Sequence, residues 1–321
     1  MKKALITGVN GQDGRFLCRL LMNRSYRVTG TTRNIHELSG DSFFSSLGVQ
    51  LKELDLTNQS AIDTLIKKLE PDEVYNFAAY AVGSTTWETP VSLANVNALA
   101  VLRILESIHH HSPRTRFFQA SSSEVFGSPE TTPQSEHTAM IPENPYGAAK
   151  LYAQSLVRMY RERYNLHACS AIFFNHESHL RSPEFVSRKV TLGAARISLG
   201  IENSLKIGNL DSRRDWGFAG DYVEAAWKML QCEAADDYIV ATGISHSVRD
   251  LCEIAFSHVG LDYRNFVAVS EDLIRSRDSS LLVGNYQRIR DSIGWRPATS
   301  FEDMIRDMVD YDIQRLKGNK E

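Results

Sequence analysis

Lys3-Ala4-Leu5-Ile6-Thr7-Gly8-Val9-Asn10-Gly11-Gln12-Asp13-Gly14 is the stretch whose reading decides the fold. A short apolar run is followed by a glycine-punctuated turn. Apolar residues then recur at helical spacing from Arg15 to Leu21, so the order is strand, turn, helix. Gly8, Gly11 and Gly14 let backbone approach a pyrophosphate at a helix N-terminus, where unsatisfied N–H groups and the helix dipole favour an anion. A glycine triplet can also be no more than a tight turn. Its place directly after a strand, at the start of a β-α-β unit, is what points to a dinucleotide held by Gly8, Gly11, Gln12, Asp13 and Gly14.

The second strand, 26–31, ends in Thr32-Arg33-Asn34. A free ribose 2′-hydroxyl is usually held by Asp or Glu near this point, whereas Arg suits a 2′-phosphate. With no acid at the strand end, Arg33 favours NADP and leaves NAD as the alternative. Strand patterns follow at 50–54, 73–77, 116–120 and 167–174, and helix patterns at 58–69, 91–108 and 145–164. Such alternation gives an α/β fold, a Rossmann-type doubly wound parallel sheet with ligands at the carboxyl ends of its strands. Asp55, Leu56, Ala78 and the segment 121–124 fall at those ends. From about Phe174 the rhythm changes. Helices are expected at 185–199, 222–232, 248–259 and 301–316, between short strands, with Gly294-Trp295-Arg296-Pro297 as a stop. The expected division is 1–174, a dinucleotide-binding domain with the catalytic helix, and 175–321. The latter is mainly a smaller C-terminal substrate-binding lobe, with some segments returning to the sheet.

The chemistry sits between Ser122 and Lys150. Of the 12 tyrosines only Tyr146 has Lys four residues on, which puts both on one helix face. A cation there favours the phenolate and lowers the Tyr pKa towards a useful base. A hydroxyl such as Ser122 can bond the same substrate oxygen. Glu124 adds a carboxylate that alcohol oxidation alone does not need, which suggests proton abstraction as well as hydride transfer. Tyr-x-x-x-Lys also arises by chance, and Glu124 could be a surface carboxylate. The glycine turn upstream weighs against the first, and the neighbours of Glu124 against the second.

Composition agrees with an enzyme. The chain has 321 residues, 42% hydrophobic and 23% charged, with net charge −3, so no electrostatic case exists for nucleic acid or an anionic membrane. No apolar run of membrane-spanning length stands out, and the N-terminus enters a core strand directly, so a cytoplasmic protein is expected. Cys18, Cys169, Cys232 and Cys252 lack paired metal spacing and fit reduced thiols. His109-His110-His111 reads as a solvated helix end, and no metal is expected.

The chain resembles the extended short-chain dehydrogenases/reductases and, more narrowly, the GDP-mannose 4,6-dehydratase family over nearly its whole length. Beyond the glycine turn, the matching segments are Gln119-Ala120-Ser121, Ser123-Glu124, Pro145-Tyr146-Gly147-Ala148-Ala149-Lys150-Leu151-Tyr152 and Phe174-Asn175-His176-Glu177-Ser178. Arg188-Lys189, Gly208-Asn209-Leu210-Asp211, Arg214-Asp215-Trp216-Gly217 and Ala241-Thr242-Gly243 continue the match. The resemblance implies that Tyr146 takes the proton of the sugar C4 hydroxyl and Ser122 bonds its oxygen. It implies that Lys150 tunes Tyr146 and holds the nicotinamide ribose, and that Glu124 removes the C5 proton. It assigns Asn175, Arg181, Lys189, Arg214 and Arg275 to the diphosphate and ribose of a GDP-sugar, with Asp278 where the family usually has Glu. It also implies a homodimer through helices 91–108 and 145–164, with a tetramer as a further option.

The chain departs from the family pattern at several positions. Ser122 stands for Thr, Tyr80-Ala81 for Gln-Ser, Arg33-Asn34 for Arg-Arg, and Ser280 for a late Asp. The loop 35–48, a tetramer contact in the family, is also different. Three readings follow: a GDP-hexose 4,6-dehydratase with GDP-mannose leading; a reductase, epimerase or C4 oxidase of a related 4-keto sugar; and a non-catalytic dinucleotide-binding regulator. Intact Ser122, Tyr146 and Lys150 argue against the last.

Overall fold

The structure, a computed structural model, describes residues 1–80, 87–273 and 281–318. The opening segment forms β1 (Lys3–Thr7) and α1 (Gln12–Asn23), followed by β2 (Arg27–Thr32), α2 (Ser42–Leu47), β3 (Gln50–Glu53), α3 (Gln59–Leu69) and β4 (Glu73–Asn76). Next come α4 (Pro90–Ala94), α5 (Ala100–His111), β5 (Arg116–Ser122), α6 (Pro145–Tyr164) and β6 (Ala168–Phe173). The remainder holds β7 (Asn175–Glu177), α7 (Val186–Ser198), β8 (Leu205–Ile207), β9 (Arg213–Phe218), α8 (Ala219–Gln231) and β10 (Tyr238–Val240). It closes with β11 (Ser245–Ser247), α9 (Val248–His258), β12 (Val267–Val269), α10 (Gln287–Ile293) and α11 (Phe301–Leu316).

Seven strands form one sheet in the order β10-β6-β5-β4-β1-β2-β3, and each neighbouring pair runs parallel. The strand order reverses between β1 and β4, where a doubly wound sheet opens its ligand crevice. Both faces are covered. Leu17, Cys18 and Leu21 of α1 and Val223, Ala226 and Leu230 of α8 close one core. Ile62 and Ile66 of α3, Ile104 and Leu105 of α5, and Val157 of α6 close the other. A third cluster, around Trp216, Leu251, Phe256, Met304 and Ile305, belongs to the C-terminal lobe. That lobe carries a three-stranded sheet β11-β9-β7 and a parallel pair β12-β8. The chain returns to the main sheet at β10, which pairs with β6.

The expected strands and long helices all form, with ends shifted by at most a few residues. Two features differ from the sequence reading. Residues 35–48 are not a plain loop. Asn34 caps a 3₁₀ turn (Ile35–Leu38) and Asp41 caps α2, each accepting from a backbone N–H two residues on. The helix expected at 91–108 runs from Pro90 to His111, and Asn95–Leu99 forms a π turn between α4 and α5. By length and composition alone this helix could cross a membrane, contrary to the reading that no such run stands out. Half of its most apolar window is buried, with Val101, Ile104, Leu105 and Ile108 inside the second core, so here it is a core helix. At its end His109 stacks on Tyr164 with ring centres 4.0 Å apart.

Candidate active site

The parallel sheet sends the ends of β1, β4, β5 and β6 to one edge. Gly8 follows β1 with φ +68°, and an added Cβ would lie 2.7 Å from Ala78 Cα. The glycine therefore lets the first turn press against the end of β4. A Cβ on Gly14 would lie 2.6 Å from the carbonyl oxygens of Gly8 and Val9, so this glycine lets α1 pack on its own entry turn. No side chain caps the N-terminus of α1, whose cap is Gly11. An anion-binding end is thereby left to the backbone.

Beside it lies a cavity of about 270 Å³ lined by Gly8, Asn10, Thr31, Thr32, Arg33, Glu37, Leu54, Asp55, Leu56, Ala78, Ala79, Tyr80 and Val96. Five candidate cofactor residues, Gly8, Arg33, Asp55, Leu56 and Ala78, line this one cavity. Gly11, Gln12, Asp13 and Gly14 sit next to it at the helix end. The Gln12 and Asp13 side chains reach across to the lobe instead. Gln12 Nε2 donates to the His176 carbonyl at 3.1 Å, Ser178 Oγ donates to Gln12 Oε1 at 2.8 Å, and Asp13 pairs with His176 Nε2 at 3.0 Å. Burial penalises both charges of that pair and is the largest single effect on each, yet the partner's charge and the hydrogen bond together outweigh it, with Arg181 adding on the Asp13 side. The His176 pKa is raised and that of Asp13 lowered. Glu37 is a cavity residue that sequence reasoning missed. Its signal is the capping Asn34, which folds the chain back after Arg33 and donates to Glu37 Oε1 at 3.2 Å.

The catalytic candidates converge where β5 ends and α6 begins. Thr7 Oγ1 donates to Asn76, Asn76 Nδ2 donates to Gln119 Oε1 at 2.7 Å, and Gln119 Nε2 donates to the Ala120 carbonyl at 2.7 Å. That same carbonyl accepts Lys150 Nζ at 2.8 Å. Lys150 is buried, and burial pulls its pKa down to about 8, against the attraction of Asp13. Its ammonium lies 5.5 Å from the centre of the Tyr146 ring. The Ser122 hydroxyl favours the ionised form of the Tyr146 phenol. Asn144 Nδ2 donates to Glu124 Oε2 at 2.8 Å.

One expectation is corrected here. Lys150 was expected to lower the Tyr146 pKa, but the phenol is pushed up to about 12. Burial is the largest cause, and the Glu124 charge adds to it, against the influence of the Ser122 hydroxyl and the Arg181 charge. The ammonium is directed at the Ala120 carbonyl and is itself desolvated, so it does not offset the burial.

A second cavity, about 220 Å³, opens in the C-terminal lobe and is lined by Asn175, Lys189 and Arg214 together with Glu177, Phe185, Asn209, Trp216 and others. Three candidate substrate residues thus share one cavity. Arg181 lies between it and Tyr146: its Nε is 3.3 Å from Glu177 Oε2, its guanidinium stacks 3.6 Å from the Phe185 ring centre, and its charge reaches Tyr146. Arg275 and Asp278, the other two candidates, lie outside the described residues, as do Ala81 and Ser280. Arg188, beside Lys189, is buried and pairs with Asp312 of α11, so it ties the lobe together.

Residues 5–308 match the family model described as GDP-mannose 4,6 dehydratase. The chain is 40% identical to GDP-mannose 4,6 dehydratase 2 of Arabidopsis thaliana, covering 99% of this chain and 89% of the relative. It is 38% identical to the GDP-mannose 4,6-dehydratase of Sinorhizobium fredii (strain HH103), covering 100% and 99%. The chain belongs to the GDP-mannose 4,6-dehydratase family. Among solved structures, RMD from Pseudomonas aeruginosa, complexed with NADPH, superposes with TM-score 0.83 at 22% identity, covering 98% of this chain and all of the other. At that identity the likeness speaks for the fold.

This member of the GDP-mannose 4,6-dehydratase family departs from the pattern in ways that have a structural counterpart. The Tyr80 hydroxyl accepts a hydrogen bond from Arg33 Nη1 at 2.9 Å, and both residues line the first cavity. The backbone of Tyr80 is clamped by Asn97 of the π turn, which accepts from its N–H at 2.8 Å and donates to its carbonyl at 2.9 Å. Arg33 therefore keeps a side-chain partner although the second Arg is Asn34.

Proposed function

We propose that the chain is an NADP-dependent GDP-mannose 4,6-dehydratase, forming GDP-4-keto-6-deoxy-mannose with loss of water. The observation that carries the reading is Glu124, a carboxylate beside the Ser122–Tyr146–Lys150 set. Oxidation at C4 needs Ser122, Tyr146 and Lys150; elimination needs one base more. The first cavity suits a dinucleotide: the α1 N-terminus lacks a side-chain cap for the pyrophosphate, and Arg33 offers charged donors to a 2′-phosphate. When bound, an oxidised nicotinamide supplies the hydride acceptor and donor and a positive charge beside the phenol.

In this reading Ser122 bonds the C4 oxygen, Tyr146 accepts the C4 hydroxyl proton, and Lys150 holds the nicotinamide ribose. The C4 ketone acidifies C5–H, and Glu124 takes that proton and delivers it to the departing C6 hydroxyl, which leaves as water. The C4 hydride ends on C6, and the proton first taken from the C4 hydroxyl balances C5. Asn175, Arg181, Lys189 and Arg214, with Arg275 and Asp278, would hold the GDP diphosphate and ribose. Residues 1–174 would then serve the dinucleotide and 175–321 mainly the nucleotide sugar. A homodimer through α5 and α6 belongs to the same reading and is supported by the exposure of Leu99 and Val91 near α5 and of Tyr152, Met159 and Tyr164 on α6.

The test is to incubate the purified protein with C4-deuterated GDP-mannose and no added cofactor, following water loss by mass spectrometry. The expected product has lost water and carries deuterium at C6. No water loss, or product without label at C6, would end this reading. It would promote a reductase, epimerase or C4 oxidase of a related GDP-4-keto sugar, an alternative favoured by Tyr80 in place of the family's Gln.

A further inference from the structure

The helix that carries Tyr146 and Lys150 begins at a residue with two tasks. Asn144 caps α6, and its Oδ1 accepts from the Gly147 N–H at 2.8 Å. Its Nδ2 donates to Glu124 Oε2 at 2.8 Å. One planar amide thus fixes the helix start with its oxygen and the carboxylate with its nitrogen. Because the two ends of the amide are chemically different, rotating it to swap them would break both contacts. Gly147 makes the arrangement possible: a Cβ there would lie 2.4 Å from the Glu124 carbonyl oxygen. The first turn of α6 therefore presses on the backbone of Glu124. From the other side, the Glu124 N–H donates to Ser122 Oγ at 3.3 Å.

We propose that Asn144 is a positioning residue for the proton-abstraction step, holding the Glu124 carboxylate in register with Tyr146. Its oxygen serves the fold and its nitrogen serves the chemistry. The two roles are separable, since Ser and Asp both cap helices well, yet neither supplies the amide donor. The inference rests on the reading of Glu124 as the elimination base.

The experiment compares wild type, Asn144→Ser and Asn144→Asp as cofactor-loaded protein turning over GDP-mannose. Thermal midpoints check the cap. Turnover and the near-ultraviolet absorbance of reduced nicotinamide separate the hydride step from the proton step. Both variants should melt with wild type. Turnover should fall about tenfold or more, with Asp the worse because it sets a like charge beside Glu124. Reduced cofactor should build up, because C4 oxidation proceeds while C5 deprotonation lags. Wild-type turnover in both variants overturns the proposal, as does a loss of turnover with no accumulated reduced cofactor. If either variant is too unstable to load, Asn144→Thr, which also caps a helix and lacks the amide donor, should show the same accumulation; its absence counts against the proposal. If wild type itself loses no water from GDP-mannose, the dehydratase reading falls and this inference with it. If wild type dehydrates and the variants match it, only the role of Asn144 falls.

Discussion

Replacing Lys150 by Met should stabilise the protein near neutral pH while disabling it. Lys150 is 3% exposed, and burial lowers its pKa from the ordinary 10.5 to about 8. A group whose folded pKa is depressed in this way opposes folding wherever its charged form must be buried. At pH 7 that opposition is about 3 kcal/mol. Between the two pKa values the unfolded chain binds the proton and the folded chain does not, so stability rises with pH. By about pH 9.5 the opposition has shrunk to roughly 1.4 kcal/mol. Met has similar length and no charge, but it leaves the Ala120 carbonyl without the Nζ donor, at about 1–3 kcal/mol. That loss does not depend on pH. The gain of Lys150→Met over wild type should therefore fall by about 2 kcal/mol between pH 7 and 9.5. For 321 residues, with an unfolding entropy of about 2 cal/mol/K per residue, this is about 3 °C in melting temperature. The assay is a pair of thermal melts at each pH, with turnover of GDP-mannose measured alongside. A midpoint difference between the two proteins that is flat with pH would refute the claim that Lys150 is buried with its pKa lowered. Turnover above a hundredth of wild type would separately remove Lys150 from the chemistry.

Tyr146→Phe removes the phenol and should lower turnover by about 10²–10⁴ with cofactor binding retained; most activity surviving in a steady-state assay would exclude Tyr146. Glu124→Gln should allow C4 oxidation but block water loss, leaving reduced cofactor and a 4-keto hexose visible by absorbance and mass spectrometry; undiminished water loss would count against the elimination base. Arg33→Ala should raise the NADP dissociation constant well above any change for NAD, as titration calorimetry can show, and equal weakening of both would undo the 2′-phosphate argument. The Asp13–His176 pair has a window. Its His side stabilises the fold fully below the unfolded pKa near 6.5 and is lost as pH rises through the raised folded value. His176→Gln should thus lower the melting point more at about pH 6 than at about pH 9, and equal losses would show that the charge of His176 contributes nothing.

The parallel sheet was legible because its strands are apolar runs separated by helices of clear period, and the order of elements follows from that alone. Ser122, Tyr146 and Lys150 were legible because the end of β5 and the first turn of α6 are both marked in the sequence. What was not legible lies in side-chain direction. Nothing in the sequence says that Gln12 and Asp13 turn to Ser178 and His176, more than 160 residues away. Nor does it say that Arg188 is buried against Asp312 while its neighbour Lys189 faces a cavity. The π turn at Asn95–Leu99 escaped because one wider turn barely disturbs an apolar stripe. The 3₁₀ turn and α2 escaped because each is too short to show a period. The rise in the Tyr146 pKa was missed because sequence spacing gives proximity to a cation and says nothing of desolvation.

The hydrogen-bonded row from Thr7 through Asn76 and Gln119 to Ala120 has a polarity. The Thr7 hydroxyl points its hydrogen at Asn76, and each amide then has one orientation that suits its neighbour. Reverse any one, and two acceptors or two donors meet inside the sheet. Asn76→Asp keeps the shape but replaces a donor by an acceptor. Gln119 would have to turn over, and its amide would let go of the carbonyl that Lys150 grips. A substitution beside the dinucleotide turn would be felt at Lys150, through the single neighbouring strand that carries Ala120. In this fold the wiring of the interior, as much as its packing, limits which residues can change one at a time.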